Sequence, residues 1–252
     1  MSMNANLTLK PINSDFDASV SMADFAFESI YPLELTTQRL TALFKLSAGD
    51  VIDTSLLDKY FHTTSAKEQT QTALQSNDFN FSRWQGIEVF VLEGTFRIEG
   101  NRHTQGSYIR IPAPQDKRLT AITDCILFIK LNQFLQDDTG TRTIETRAAD
   151  KWLPGPVDGI EICPLHVFDT ESIMLLRWQH AAEFKPKLNP RGEEILVING
   201  LLQNRDHLYR QYSWIRNPIE DWCKWHGNTG TMAYYKSGHF PDDPARTNAT
   251  NN

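Results

Sequence analysis

Two similar stretches of the chain decide its fold, Glu88-Val-Phe-Val-Leu-Glu-Gly94 and Glu194-Ile-Leu-Val-Ile-Asn-Gly200, which lie 106 residues apart (88 to 194). Further matches continue in the same register without a gap, so the similarity is more than a single coincidence. The chain therefore contains an internal repeat. The matching pairs are Ser107 and Ser213, Ile109 and Ile215, Arg110 and Arg216, Pro112 and Pro218, Lys130 and Lys236, and Phe134 and Phe240.

The two copies differ by an insertion in the first. Tyr31-Pro-Leu33 resembles Cys163-Pro-Leu165 at an offset of 132 residues (32 to 164), which is 26 more than the offset further along the chain. The extra residues fall at about 53–80. This segment contains Ser65-Ala-Lys-Glu68, a helix-capping pattern, so we expect a short inserted helix or loop there.

The repeat unit has the pattern of β-structure. Its apolar runs are short, rich in β-branched residues and bounded by turn residues, as in Val89–Leu92, Ile126–Ile129 and Ile195–Ile198. No amphipathic helical pattern separates them, which favours an all-β protein made of closed barrels. His103 and His207 are expected in solvated turns. We predict domains at 28–138 and 151–240, a linker at 139–150, and tails at 1–27 and 241–252, the second of them disordered.

The composition argues against several classes of partner. The chain has a net charge of −6 and no basic block, which disfavours nucleic-acid binding. It has no apolar run near the membrane-spanning length of about 18 residues and no signal-peptide pattern, so we expect a soluble, cytoplasmic protein that does not bind membranes. Its three cysteines, Cys125, Cys163 and Cys223, form no CxxC pair, which disfavours a disulfide framework or a structural zinc site.

The second copy carries residues of a known family. Trp152-Leu-Pro-Gly155, Ser213-Trp-Ile-Arg216-Asn-Pro218 and Lys236-Ser-Gly-His239 resemble the cupin domain of ChrR-type anti-sigma factors. Ser107-Tyr-Ile-Arg110-Ile-Pro112 is similar to the same module in the first copy. The resemblance implies two cupin barrels of the RmlC-like jelly-roll fold, formed by internal duplication.

The resemblance also implies a metal site, whose ligands this chain largely lacks. Cupins of this type place two histidines on alternate residues of one strand, and add a glutamate and a third histidine around a divalent ion. In the second copy the glutamate position holds Glu193, whereas the histidine positions hold Lys187, Asn189 and Cys223. We therefore expect no metal cofactor in either barrel. In the first copy the four corresponding positions hold Phe81, Arg83, Ile87 and Lys117.

The replacing residues suggest two pockets that work without a metal. In the second barrel, the ammonium group of Lys187 would pair with Glu193 and compensate a buried carboxylate, which is otherwise costly. In the first barrel, Arg83 and Lys117 would bind a small anionic ligand such as a carboxylate or a phosphate. The alternative for the first barrel is that both side chains extend to solvent at the barrel mouth.

Three classes of function remain open. A non-enzymatic, regulatory bicupin that binds a small ligand or a protein partner is favoured, because the family's metal ligands are missing. A metal-dependent enzyme of the dioxygenase type is the alternative, and would need zinc or iron on Glu193 and Cys223. His180 or His226 could complete that ligand set, although packed or solvated histidines are commoner. A structural or homo-oligomeric module is the third class, since cupins associate through their sheets.

Overall fold

The computed structural model describes residues 30–35, 40–53, 86–112, 118–135, 137–186, 191–217 and 224–239. They divide into two units between Glu145 and Thr146. Almost all regular structure in these ranges consists of antiparallel strands, which confirms the prediction of an all-β protein. No helix among these residues is long and apolar enough to cross a membrane.

The first unit is a barrel of two antiparallel sheets. In chain order, its strands are β1 (Ile30–Leu35), β2 (Leu40–Leu46), β3 (Val51–Asp53), β4 (Gly86–Glu93), β5 (Thr95–Ile98), β6 (Asn101–Thr104), β7 (Ser107–Pro112), β8 (Arg118–Ala121), β9 (Cys125–Leu131) and β10 (Arg142–Glu145). The larger sheet has the spatial order β1-β2-β9-β4-β7-β10 and the smaller sheet the order β3-β8-β5-β6. Side chains from both sheets share one apolar core, which closes the barrel.

The second unit begins with a single 3-10 turn at Ala149–Lys151 and continues as a second barrel. Its strands are β11 (Leu153–Pro154), β12 (Ile160–Phe168), β13 (Glu171–Trp178), β14 (Ala182–Phe184), β15 (Glu193–Asn199), β16 (Leu202–Gln203), β17 (Leu208–Tyr209), β18 (Trp214–Asn217), β19 (Trp225–Gly227) and β20 (Met232–Ser237). The larger sheet has the order β11-β12-β13-β20-β15-β18, and the smaller sheet the order β14-β19-β16-β17.

The two units share one topology. Strands β1-β2-β9-β4-β7 correspond in order to β12-β13-β20-β15-β18, and β3-β8-β5-β6 correspond to β14-β19-β16-β17. Even the irregularities recur, which is the pattern expected of a duplicated barrel. The bulges lie at Pro32/Glu34 and Val91/Glu93 in the first unit and at Pro164/His166 and Val197/Asn199 in the second.

Gly94 and Gly200 follow the equivalent strands β4 and β15, and each turn needs a glycine for the same physical reason. Their φ angles are +77° and +78°, in the region that favours glycine. A Cβ atom at Gly94 would lie 2.1 Å from the backbone oxygen of Asp124, and one at Gly200 would lie 2.9 Å from the Cα atom of Thr231. The turns predicted at these glycines are confirmed, and each requires a residue without a side chain.

Alternation along the strands separates the barrel interior from the outer face of the sheet. In β4, Ile87, Val89 and Val91 belong to the core of the first barrel. In β15, Ile195 and Val197 belong to the core of the second barrel. The preceding inward position of β15 is Glu193, so a carboxyl group stands where β4 carries an aliphatic side chain.

The structure differs from the sequence predictions at two places. His103 lies on β6 with 6% of its surface exposed, not in a solvated turn, because it pairs across the strands with the core residue Phe96. Arg142–Glu145, inside the segment predicted as a linker, forms strand β10 at the edge of the first unit's larger sheet. An edge strand that leaves its side chains mostly exposed has the polar composition of a linker, so the sequence pattern did not separate the two.

Several predictions fall outside the described residues. These are the tails at 1–27 and 241–252 and, from residue 54 onward, the inserted helix or loop at about 53–80. They remain predictions.

Candidate functional site

Glu193 is a charged residue that the fold directs into the second barrel. It is the first residue of β15, where it pairs across the sheet with Asn217 of β18 and Ser237 of β20. Only 7% of its surface is exposed. Burial of a carboxylate away from water is costly unless hydrogen bonds or a counter-charge compensate it. The partners of Glu193 therefore define the chemistry of this interior.

Three neutral side chains donate hydrogen bonds to Glu193. The Tyr235 hydroxyl lies 2.9 Å from Oε2, the Trp225 Nε1 atom lies 3.2 Å from Oε1, and the Asn217 Nδ2 atom lies 3.4 Å from Oε1. Within the described part of the chain, no lysine, arginine or histidine forms an ion pair with this carboxyl group. The negative charge is thus solvated by dipoles and lacks a neutralising cation there.

Burial also sets the protonation properties of Glu193 and of its donor Tyr235. Burial raises the pKa of the Glu193 carboxyl above its ordinary value, although the hydrogen bonds from Tyr235, Trp225 and Asn217 oppose the rise. Burial, together with the neighbouring charge of Glu193, also raises the pKa of the Tyr235 hydroxyl. Tyr235 therefore remains a proton donor in a hydrogen bond, and is not poised to act as a base.

Further aromatic rings pack against the two aromatic donors of the carboxyl group. The ring of Phe184 meets that of Tyr235 edge to face, with centroids 5.6 Å apart. The ring of Tyr209 meets that of Trp225 in a similar arrangement at 5.8 Å. All four rings belong to the buried core of the second barrel. Glu193 and these four rings are called the aromatic–carboxylate cluster below.

The first barrel has an aliphatic residue at each polar position of this set. At the constant offset of 106 residues, the counterparts are Ile87 for Glu193, Ile111 for Asn217, Leu119 for Trp225 and Ile129 for Tyr235. Ile87, Leu119 and Ile129 lie in the first core, and Ile111 packs against it. The carboxyl group and its three donors are therefore all present in the second barrel and all replaced in the first. This pattern is expected of residues whose roles depend on one another.

Of the eight site residues predicted from the sequence, the structure describes two. Glu193 is buried at the start of β15 with 7% of its surface exposed, and Ile87 is packed in the first core with 4% of its surface exposed. The pairing of Lys187 with Glu193, and the anion pocket in the first barrel, remain predictions. The six residues outside the described ranges are Phe81, Arg83, Lys117, Lys187, Asn189 and Cys223.

Sequence reasoning missed the three donors to Glu193, although the repeat contained a signal for them. Aligning the copies at the offset of 106 places a polar or aromatic residue of the second copy opposite an aliphatic one of the first at each of these positions. The two histidines considered as metal ligands lie elsewhere. His180 is exposed, 3.4 Å from Asp158, and His226 is exposed on β19, on the side opposite to Trp225.

A second polar network lies on the outer face of each larger sheet, where buried charged side chains form ion pairs. In the first unit, Arg110 contacts Glu88 at 3.1 Å and Asp138 at 2.5 Å, and its guanidinium group stacks on Phe134 at 3.8 Å. All of these side chains are buried. Buried, paired charges of this kind are expected to fix the structure more than to bind a ligand.

The second unit repeats this outer network with different partners. Glu194, the counterpart of Glu88, accepts a hydrogen bond from Trp214 Nε1 at 2.7 Å and lies 3.1 Å from His239 Nε2. Lys236 pairs with Glu171 at 3.0 Å, both fully buried. Since these charges also have partners, the aromatic–carboxylate cluster inside the barrel remains the stronger candidate for a binding site.

Two jelly-roll barrels with the same topology, each enclosing an apolar core, give the chain a cupin-like fold with two barrels. Residues 140–241, which include the strands of the second barrel, match the family model of the ChrR cupin-like domain, and this match is consistent with a ChrR-like cupin. No curated protein sequence matches the chain.

Solved structures of other proteins have a similar fold. The chain superposes on a cupin 2 conserved barrel domain protein from Leptotrichia buccalis with a TM-score of 0.51 and 9% identity, over 86% of this chain and 93% of that one. It superposes on salicylate 1,2-dioxygenase from Pseudaminobacter salicylatoxidans with a TM-score of 0.54 and 11% identity, over 83% and 75% of the two chains. At such identities the likeness establishes the fold alone.

Proposed function

We propose that this protein is a non-enzymatic, regulatory bicupin that binds a small ligand inside its second barrel. The observation that carries the proposal is the hydrogen-bonded environment of Glu193. A carboxyl group, an indole, a phenol and an amide converge inside one barrel, whereas the same positions of the other barrel are aliphatic. A core that served packing alone would not need this polar set, because aliphatic residues fill the first barrel without it.

The donors around Glu193 disfavour the metal-dependent alternative. An indole N–H group has no lone pair to offer a metal, and an amide nitrogen that donates a hydrogen bond does not ligate. Trp225 and Asn217 both direct such donors at Oε1, and Tyr235 directs its hydroxyl at Oε2. A divalent ion at Glu193 would have to displace part of this arrangement and find most of its ligands elsewhere.

The first barrel is assigned a structural role in this proposal. Its described interior is apolar, with Ile87, Leu119 and Ile129 filling the space that the polar set occupies in the second barrel. An anionic ligand held by Arg83 and Lys117 is a separate prediction for that barrel. It requires that removal of Arg83 weakens the binding of anionic metabolites.

Two measurements on the purified full chain test the proposal. Elemental analysis should find no stoichiometric iron, zinc or manganese. A thermal-shift screen of small metabolites should find ligands whose effect is lost in Glu193→Gln and retained in Ile87→Val, the matched substitution in the first barrel. One equivalent of a transition metal that Glu193→Gln abolishes would favour the metal-dependent alternative instead, and a screen with no Glu193-dependent ligand would remove the binding role.

A further inference from the structure

We propose that the ligand of the second barrel is a small organic cation, an ammonium or a methylated ammonium group, held by the aromatic–carboxylate cluster. This inference rests on the proposed function, because it names the chemical class of the ligand for the same site. Its basis is the combination of one buried carboxylate with four aromatic rings.

The first argument is the charge of the site. Glu193 is 7% exposed, and its three hydrogen-bond partners in the described ranges are all neutral. A buried carboxylate attracts a cation and repels an anion much more strongly in this environment than in water, because the surroundings screen the charge poorly. The donors occupy three of about four lone-pair positions on the carboxyl oxygens, which leaves one on Oε2 for a ligand N–H group.

The second argument is the set of rings. Cations bind over the faces of aromatic rings within about 6 Å of the centroid, and cages of such rings with a carboxylate are a common way to hold methylated ammonium groups. Tyr235 and Trp225 contact the carboxyl group directly, and Phe184 and Tyr209 pack against those two rings. The cluster thus combines a charge with polarisable surfaces.

The third argument distinguishes an organic cation from a metal ion. A metal ion needs several lone-pair donors at short distance, and the described cluster presents one carboxyl group among rings and N–H donors. An organic cation is more weakly hydrated and needs only one charge partner and apolar contact. In the described core of the first barrel these two positions offer neither a carboxyl group nor an aromatic ring, since Ile87 and Ile129 stand in place of Glu193 and Tyr235.

The experiment uses the full chain, treated with EDTA so that adventitious metals do not contribute. The probes are trimethylammonium, which carries one N–H group, and the quaternary ions choline and tetramethylammonium. The controls are dimethylbutanol, the neutral isostere of choline in which carbon replaces the charged nitrogen, and sodium chloride at equal ionic strength. The readout is the indole N–H signal of Trp225 in heteronuclear NMR, assigned by its absence in Trp225→Phe, while the other five tryptophan signals report general effects.

The expected result is a saturable shift of the Trp225 signal with the ammonium probes and none with dimethylbutanol. Glu193→Gln, which keeps the size of the side chain, should weaken binding by about tenfold or more through loss of the charge. Phe184→Leu, which removes one ring and leaves the carboxyl group, should weaken it less. If either variant does not fold, the parent protein with the charged and neutral probes still decides the inference.

Other outcomes overturn the inference and separate it from the proposed function. Equal shifts with choline and dimethylbutanol, or none with either, would show that the site does not select a cation. If neutral or anionic metabolites nevertheless bind in a Glu193-dependent way, the proposed function stands and only this inference fails. If no compound binds, both fail.

Discussion

The two barrels have the same strand order and the same bulges, yet their interiors differ in kind. Ile87 lies among aliphatic side chains in the first, whereas Glu193 lies among hydrogen-bond donors and rings in the second. The comparison teaches that the fold does not require a carboxyl group at this inward position, since the first barrel carries Ile87 there. The fold therefore does not account for the polar set of the second barrel, and ligand binding is the explanation proposed above.

The largest effect on stability is expected when a carboxyl group is placed in the core of the first barrel. Ile87→Glu puts a carboxyl group at the position of Glu193 but opposite Ile111, Leu119 and Ile129, none of which can donate a hydrogen bond. We expect the free energy of unfolding to fall by about 3–5 kcal/mol, because the buried charge has no compensation. Urea unfolding of the full chain, followed by near-ultraviolet circular dichroism, measures this.

The control for this prediction is Ile87→Val, which removes one methyl group and should cost about 0.5–1.5 kcal/mol. If Ile87→Glu unfolds within about 1 kcal/mol of this control, the first interior tolerates a carboxylate. In that case a buried carboxyl group would not need the hydrogen-bond donors that surround Glu193 in the second barrel.

A smaller effect is expected when one donor is removed from Glu193. Tyr235→Phe keeps the ring against Phe184 but removes the hydroxyl that lies 2.9 Å from Oε2. We expect a loss of about 1.5–3 kcal/mol in the free energy of unfolding, the range for a hydrogen bond to a charged group. The same change made in a Glu193→Gln background should cost clearly less, and the difference measures the interaction of the two groups. Equal costs in both backgrounds would mean that the hydroxyl does not support the carboxylate.

The sequence predicted the fold better than the site, for a physical reason. The strands around Val89 and Ile195 and the glycines at Gly94 and Gly200 follow from local patterns, because alternation and backbone conformation are properties of a few neighbouring residues. Glu193 was found because its position is fixed by spacing within one motif.

The hydrogen-bond donors to Glu193 were not predicted from the sequence, since they lie on other strands. Trp225 is on β19 and Tyr235 is on β20, distant along the chain, and their contact with Glu193 depends on how the sheets close. His103 was misplaced for a related reason. A histidine in a short polar stretch resembles a turn residue, and only its pairing with Phe96 directs it into the core.

His103 allows a pH test of the same comparison, because its counterpart in the second barrel is Tyr209. The Nδ1 atom of His103 has no hydrogen-bond partner among the described residues, and its ring packs 5.3 Å from Phe96. Burial lowers the pKa of His103 below its ordinary value of 6.5, and the charge of Glu145 only partly opposes this. The folded protein therefore binds the proton less readily than the unfolded chain.

The sign of the pH effect follows from that difference. The contribution of His103 to stability is fully present above about pH 6.5 and is lost as the pH falls towards the lowered pKa, at up to about 1.4 kcal/mol per pH unit. In His103→Phe this loss should be absent. The variant should therefore gain stability relative to the parent as the pH is lowered from 7 to 5, in urea unfolding at matched ionic strength. A difference between the two proteins that is independent of pH would contradict the buried, neutral state of His103.

The smallest expected effect concerns the alkylation rates of the thiols, which compare the two barrels without changing their stability. Cys125 in the first barrel and Cys163 in the second are buried, and burial raises the pKa of each thiol to about 11. Both should react slowly with a mild alkylating reagent at pH 8, because the thiolate is the reactive form. Cys223, at the third histidine position of the second copy's motif, is the remaining thiol of the chain. We expect at most one fast-reacting thiol per chain, abolished by Cys223→Ser.

If that thiol is also protected by the ammonium probes but not by their neutral isostere, Cys223 lies beside the bound ligand. A fast thiol that persists in Cys223→Ser would mean that one of the two buried cysteines becomes accessible, and that its barrel opens more readily than its packing indicates.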